Sequence, residues 1–385
     1  MSRLIPEMSS SSFTDLNSQH NKEPSLFLYQ NCDELKESFK SLETPRDIAR
    51  LLDVSYNKLT YHISILPENK RYKDFLIPKK SGQSRTISAP CTPLKILQRK
   101  LSQVLYSVYE PKSSVHGFVP NRSILTNAKR HVHKRYVLNI DLKDFFHSIH
   151  FGRVQGIFMK PPYNLPKEVA VVLAKICCYS GRLPQGAPTS PIVSNMICAR
   201  MDSELRKLTV EFKCTSYTRY ADDITFSTTL SKFPVEIAYQ EKPGDDNSQK
   251  LILGERLSSI IQSNGFAINE SKIRLQHKSQ HQEVTGITVN QFPNVKRSFV
   301  REISSMLHIW DRFGLKSAEQ RFRDKAAEDL KTSAYTLPSF QEIPSFKEVL
   351  RGKINFLRMV RGKDNATYLT YSEWFYELSR KEAIK

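Results

Sequence analysis

The chain has 385 residues, with 58 Lys and Arg against 39 Asp and Glu, a net charge of +19 and an isoelectric point near 9.6. At this length two or three subdomains are expected rather than one core. The cationic surplus points to a polyanionic partner, nucleic acid first and anionic membrane second. No apolar run approaches the roughly 18 residues that span a bilayer, and the Ser-rich Met1–Glu23 stretch lacks the apolar core of a signal peptide. Cys32, Cys91, Cys177, Cys178, Cys198 and Cys214 show no CxxC spacing, which argues against a zinc site or disulfide framework and fits a reducing cytoplasm.

In chain order, residues 1–25 read as a flexible tail. Helices follow over Asp33–Phe39 and Thr44–Leu52, the second opened by Thr44 as cap and Pro45 as first helical residue. Ser55–Leu59 gives a helix-turn-helix look that fits packed core helices better than a DNA reader. Phe75–Ile87 reads as a hairpin with Ser81-Gly82 at its tip. Its Lys79, Lys80 and Arg85 are either a solvated basic edge or a clamp for a triphosphate, to which Arg gives bidentate contacts.

Pro93–Tyr109 is helical, with Leu94, Leu97, Leu101 and Leu105 on one face, and Ser123–Arg135 follows a loop containing Gly117. Pro166–Ser180 is a helix with Pro166 in its first turn and Gly181 past its end. A loop, Leu183-Pro184-Gln185-Gly186-Ala187-Pro188-Thr189-Ser190-Pro191, then opens the helix Ile192–Leu208. Glu241–Ser248 reads as an exposed insertion, Leu251–Gly265 as a helix, and Phe266–Lys272 and Val284–Val289 as strands. From Ser298 the chain is helical and basic. Its interleaved aromatics, Trp310 and Phe322 among them, fit a helical core better than base stacking.

Two segments carry the chemistry. Cys214–Thr218 and Ile224–Ser227 alternate like two strands, with Tyr220-Ala221-Asp222-Asp223 at the turn between them. Alone, an Asp-Asp pair there is a polar hairpin tip. Upstream, however, the apolar strand Val137–Ile140 runs into Asp141, and a carboxylate ending such a strand is costly unless paired, hydrogen-bonded or bound to a cation. Brought together, Asp141, Asp222 and Asp223 have the composition of a two-Mg²⁺ phosphoryl-transfer site.

The basic hairpin, Asp141, the Pro184-Gln185-Gly186 loop and Tyr220-Ala221-Asp222-Asp223, in this order, resemble a reverse transcriptase over residues 70–290. Asn127-Ala128-Lys129-Arg130-His131 resembles the NAxxH motif and Val284-Thr285-Gly286 the VTG motif of the retron-type enzymes. Leu350–Arg358 is similar to the RNA-gripping thumb of bacterial relatives, so Arg351 and Arg358 are expected on RNA.

The resemblance implies an α+β right-hand polymerase, with an antiparallel palm sheet packed on helices and a helical thumb. It divides the chain into the tail (1–25), N-terminal helices and fingers (26–135), palm (136–290, with a fingers-type helix insertion at 151–182) and thumb (291–385). Asp141, Asp222 and Asp223 would hold two Mg²⁺ ions, with Mn²⁺ as a substitute. Lys79 or Lys80 with Arg85 would clamp the dNTP, Phe146 would exclude a 2′-OH, and Gln185 and Gly186 would line the nascent pair. Lys272 would protonate the pyrophosphate. Asn127, His131 and Val284-Thr285-Gly286 would help recognise one structured noncoding RNA, although His131 also reads as a packed core residue. That RNA would be template and primer, copied from an internal 2′-OH into branched multicopy DNA, within an anti-phage module containing a separate effector protein. Two other readings remain: a group II intron-like or diversity-generating enzyme, and a non-catalytic RNA-binding scaffold. The presence of all three acids argues against the scaffold. The absence of maturase, endonuclease, protease or RNase H resemblance argues against the intron type.

Overall fold

The computed structural model describes residues 25–78, 84–212, 216–241, 250–332 and 344–384. Lys79, Lys80, Cys214, nearly all of the expected tail and most of the Glu241–Ser248 insertion lie outside the described residues. The architecture is α+β. In chain order the strands are β1 (Tyr72–Pro78), β2 (Ser84–Pro90), β3 (Tyr136–Lys143), β4 (Ser216–Tyr220), β5 (Asp223–Thr228) and β6 (Ala238–Glu241). They continue with β7 (Lys250–Leu253), β8 (Ala267–Ile268), β9 (Arg274–His277), β10 (Glu283–Val284) and β11 (Ile287–Thr288).

β3 is the axis of the palm. β5 pairs antiparallel along one edge, with β4 outside it, while β8 and β9 share the other edge. Side chains alternate across a strand, and the sequence uses both faces. Leu138, Ile140 and Leu142 of β3 join Ile224 and Phe226 of β5 in a core shared with helices Thr92–Val108, Phe151–Met159, Lys167–Cys177 and Ser190–Glu211. Asp141 and Asp223, one step out of phase with these apolar residues, therefore lie on the face turned away from the helices. Each leucine buried in this way contributes about 1.5–3 kcal/mol, so a one-residue slip of β3 would cost the core and scatter the acids together.

A second core joins palm to thumb. Ala128, Val137, Val284 and Ile287 pack with Leu307, Trp310, Leu350, Leu357 and Phe375 of the C-terminal helices. Those helices are Arg297–Thr332, broken at Gly314 (φ 74°, ψ 165°), Phe346–Arg361 and Ala366–Ile384. Trp310 lies 1% exposed between Phe346 and Phe375, a core residue as its spacing suggested. Phe313 instead stays exposed, flanked by Arg312 and Arg321.

Several local expectations need correction. Leu251 to Leu253 belong to β7, and the helix begins only at Glu255, because β6 offers those residues a partner strand. Phe266–Lys272 is only briefly extended in β8 before a 3₁₀ turn at Glu270–Lys272. Val284–Val289 is not one strand but a hairpin, with Thr285 (φ 47°) and Gly286 (φ 83°) at its tip. The helix after Ser123 spans only Ile124–Lys129, and Pro166 caps its helix rather than entering it. Lys100 of helix Thr92–Val108 is buried, with Nζ 3.1 Å from the Asp53 carbonyl and 3.3 Å from its carboxylate.

Candidate active site

The β4–β5 hairpin turns through Ala221 and Asp222, with Ala221 left-handed at φ 56°. Asp223 thus opens β5 rather than sitting in the turn, and it pairs in register with both Asp141 and Tyr220. The Leu142 N–H donates to the Asp222 carbonyl at 3.0 Å, tying the turn to the central strand. The structure therefore gathers Asp141, Asp222 and Asp223 at one end of the sheet.

Lys272 sits 2.9 Å from Asp141 Oδ1, and Asn269 donates to Oδ2 at 3.1 Å. Asp223 borders the open cleft, yet protein atoms crowd it. Burial first, then the neighbouring Asp222 and Asp141 charges, push its carboxyl up to about 7. Asp222 is raised too, chiefly by burial and then by Asp141, with Lys272 and Arg85 pulling it down. The Arg85 side chain thus faces the acids from the fingers hairpin.

Phe146 is half-buried, its ring 6.1 Å from that of Phe118, which in turn lies 6.5 Å from Tyr220. The Gln185 carbonyl accepts from the Ser88 N–H at 2.8 Å, docking the Pro184-Gln185-Gly186 loop on β2. A Cβ at Gly186 would stand 2.9 Å from both Ile87 Cγ2 and the Ser88 oxygen, so the close approach needs glycine.

Sequence reasoning passed over the scaffold beneath the turn. Arg219 and Asp202 are wholly buried in a two-pronged ion pair, both contacts 2.8 Å, and Tyr217 donates to the same carboxylate at 2.7 Å. Burial alone would lower the Arg219 pKa, but Asp202 outweighs it and holds the guanidinium charged. Its remaining nitrogen donates to the Ala221 carbonyl at 3.1 Å, so the ion pair grips the turn that carries Asp222. On the other side a Cβ at Gly117 would fall 2.4 Å from the Ala221 nitrogen. The signal available was a cation one residue before the aromatic of an acidic turn, with an acid on an apolar helix face.

Residues 77–289, more than half of the chain, match the family model described as reverse transcriptase (RNA-dependent DNA polymerase). The chain is 36% identical over 285 residues to the retron Mx65 reverse transcriptase of Myxococcus xanthus, covering 69% of this chain and 62% of that one. It is 32% identical over 292 residues to the retron Mx162 enzyme of the same organism, covering 69% and 59%. It is 34% identical over 253 residues to the retron Ec86 reverse transcriptase of Escherichia coli, covering 65% and 73%. The chain belongs to the retron-type reverse transcriptases. It spans about three-fifths of the length of the two Myxococcus relatives.

In this retron-type chain the two short motifs meet. Asn127 Nδ2 lies 3.4 Å from Thr285 Oγ1, and helix Ile124–Lys129 shares a core with the β10–β11 hairpin. Direct RNA contact by His131 is contradicted: it is wholly buried, with Nδ1 2.8 Å from Ser227 Oγ and Nε2 2.7 Å from Thr218 Oγ1. Burial, then nearby Lys134, hold its pKa down at about 3, so the ring is a neutral clamp between β4 and β5. Asn127 and Val284 are buried as well, leaving Thr285 and Gly286 as the accessible part of the motif. Arg351 and Arg358 are exposed on the solvent side of helix Phe346–Arg361, away from buried Leu350, Ile354 and Leu357.

Among the described residues no three His, Cys, Asp or Glu side chains are already arranged as a cation cage. The donor chemistry nevertheless suits Mg²⁺: all three candidates are hard carboxylates, and burial with the neighbouring acid charge raises the proton affinity of Asp222 and Asp223, a strain a divalent cation relieves. Mg²⁺ is usually held by one or two carboxylates plus substrate phosphates, so an incomplete cage is what such a site requires.

Proposed function

We propose that this chain is an RNA-directed DNA polymerase that copies a structured RNA into single-stranded DNA. The observation that carries this is the crowding of Asp141, Asp222 and Asp223 at one end of the sheet, with the Arg85 charge of the β1–β2 hairpin acting on Asp222, in a chain of retron-type family. Asp141, Asp222 and Asp223 would hold two Mg²⁺ ions, which when bound activate the primer hydroxyl and neutralise the pyrophosphate.

The chain's own residues position the reactants. Arg85 clamps the triphosphate, joined by Lys79 or Lys80. Gln185 and Gly186 present backbone to the nascent base pair, and the Phe146 ring fills the space a ribonucleotide 2′-OH needs. Lys272, paired with Asp141 at 2.9 Å, would donate a proton to the departing pyrophosphate. The cationic thumb, including Arg351 and Arg358, holds the template–product duplex through its phosphates.

Family membership supports the finer reading: one noncoding RNA is template and primer, priming starts from an internal 2′-OH, and the branched product works with an effector protein in anti-phage defence in the cytoplasm. No helix among the described residues is long and apolar enough to cross a membrane. To test the reading, nucleic acid is extracted from protein expressed from its native locus, treated with RNase and debranching enzyme, and resolved on a denaturing gel. A discrete short DNA whose RNA-linked form shifts on debranching is expected. Heterogeneous DNA would favour a general reverse transcriptase, and RNA alone a binding scaffold.

A further inference from the structure

One cavity of the molecule lies apart from the acidic cluster. It is a groove of about 1080 Å³ behind the palm, walled by helices Cys32–Lys40, Phe151–Met159 and Ser190–Glu211. The long helix Ser190–Glu211 separates it from the sheet: Met201 and Leu205 point into the palm core, while Arg200 faces the groove. Since Asp141 and Asp223 lie on the sheet face turned away from that helix, the groove and the catalytic acids occupy opposite sides of the palm.

Lys36, Lys40, Lys112, Arg153, Lys160 and Arg200 line it, against a single carboxylate, Glu110. Part of this charge is already used. Lys36 reaches Glu110 at 3.4 Å, Lys40 pairs with Glu37 and Arg200 with Glu204, while Arg153 is bonded to the backbone carbonyls of Asn264 and Gly265. Lys112 and Lys160 have no carboxylate within ion-pair distance among the described residues. Lys112 also borders a second hollow of about 440 Å³ lined by Arg206 and Lys207 and by one acid, Glu211, which is paired with Arg256, so the cationic track continues along the same helix.

The groove's wall is unusual in a second way. Helix Phe151–Met159 carries Gly152 and Gly156, four apart and therefore on one face, and both line the groove. A glycine inside a helix costs about 1 kcal/mol relative to alanine. At Gly156 no atom lies within 4 Å of where a Cβ would stand, so internal packing does not explain it. Gly156 instead bares helix backbone to whatever lies in the groove, while a Cβ at Gly152 would stand 3.3 Å from the His150 ring.

We propose that this groove is a second RNA-binding surface, holding a non-template segment of the RNA partner with its phosphates between Lys112 and Lys160 and its backbone against the Gly152–Gly156 face. Charge decides for RNA over a protein partner: the groove offers cations with few acids, and a phosphodiester chain needs little else. The inference rests on the proposed function, because a template that is also a folded RNA must be gripped outside the cleft as well as inside it.

The test uses the full-length protein, with two probes. One is the RNA that co-purifies with the wild type, end-labelled; the other is a poly(rA)·oligo(dT) primer–template. For Lys112→Glu with Lys160→Glu, extension of the primer–template should stay within about twofold of wild type. Affinity for the co-purified RNA should fall at least tenfold, with a salt slope shallower by about 1.4–1.8, the loss of two phosphate contacts. Gly156→Gln, which fills the groove without changing charge and meets no neighbour, should weaken the same RNA and leave extension alone. RNA affinity unchanged in both variants overturns the proposal, as does an equal loss on both probes, which would make the groove part of the polymerase path. Loss of a co-purifying protein with RNA retained would assign the groove to an acidic protein and likewise overturn it. If the wild type neither extends primer nor carries RNA, the functional reading itself falls, and the groove assignment with it.

Discussion

Two carboxylate clusters sit on opposite faces of the β4–β5 hairpin and are treated in opposite ways. Inside, Asp202 is wholly buried but meets both prongs of Arg219 and the Tyr217 hydroxyl, leaving its charge fully paired. Outside, Asp222 and Asp223 crowd Asp141, with one ammonium, Lys272, bonded to Asp141 alone, and their proton affinities rise. The paired cluster fixes the turn; the unpaired one keeps an electrostatic demand that a substrate-borne cation can meet. Frustrated charge marks the working face, and satisfied charge the supporting one.

The sharpest way to break this comparison is to neutralise the outer cluster. Asp222→Asn with Asp223→Asn should reduce primer extension by at least about a thousandfold, roughly 4 kcal/mol of transition-state stabilisation, while the protein stays folded and RNA binding holds. Extension at normal rate would remove these residues from the site. Breaking the inner pair should act on the fold instead. Arg219→Met leaves the Asp202 charge buried without its cation, held only by the Tyr217 hydroxyl, and about 3–5 kcal/mol of stability should be lost by denaturant titration. A change below 1 kcal/mol would mean the pair does not hold the turn.

The expectations read from residues fared unevenly, for physical reasons. Asp141, Asp222 and Asp223 could be found because carboxylates at apolar strand ends break a two-residue period. Arg219 and Asp202 could not, because a paired buried charge resembles two surface charges until the helix and strand are brought together. His131 was open to two readings, and its two hydroxyl partners, Thr218 and Ser227, lie 87 and 96 residues away, beyond any local pattern. The helix expected from Leu251 failed for a similar reason, since pairing with β6 overrode its apolar spacing. Long helices with a single apolar stripe, such as Thr92–Val108, needed no such context and match within a residue at each end.

His131 gives an intermediate test of the same contrast. His131→Ala should cost about 1–3 kcal/mol by removing the ring that both the Thr218 and the Ser227 hydroxyls bond, with RNA affinity per folded molecule unchanged. Because burial keeps the ring neutral, RNA affinity should also show no histidine-like step between pH 5 and 8. Weaker RNA binding at full stability would restore a recognition role.

The smallest effect concerns pH. Asp223 holds its proton more tightly when folded (about 7) than an ordinary aspartate at 3.8, so between those values the native state binds more protons and stability falls as pH rises. Asp223→Asn should therefore melt higher than wild type above pH 7 in the presence of chelator, with the gain vanishing below about pH 4. An offset independent of pH would show that Asp223 is not crowded by its neighbours.

The most direct measurement is thermal melting of the wild type and of Asp223→Asn at pH 7.5, across a Mg²⁺ titration starting from chelator. If the outer cluster is held in charge frustration for a divalent cation, Mg²⁺ should raise the wild-type melting temperature saturably and move the variant much less. Equal shifts in both proteins, or none in either, would contradict that account.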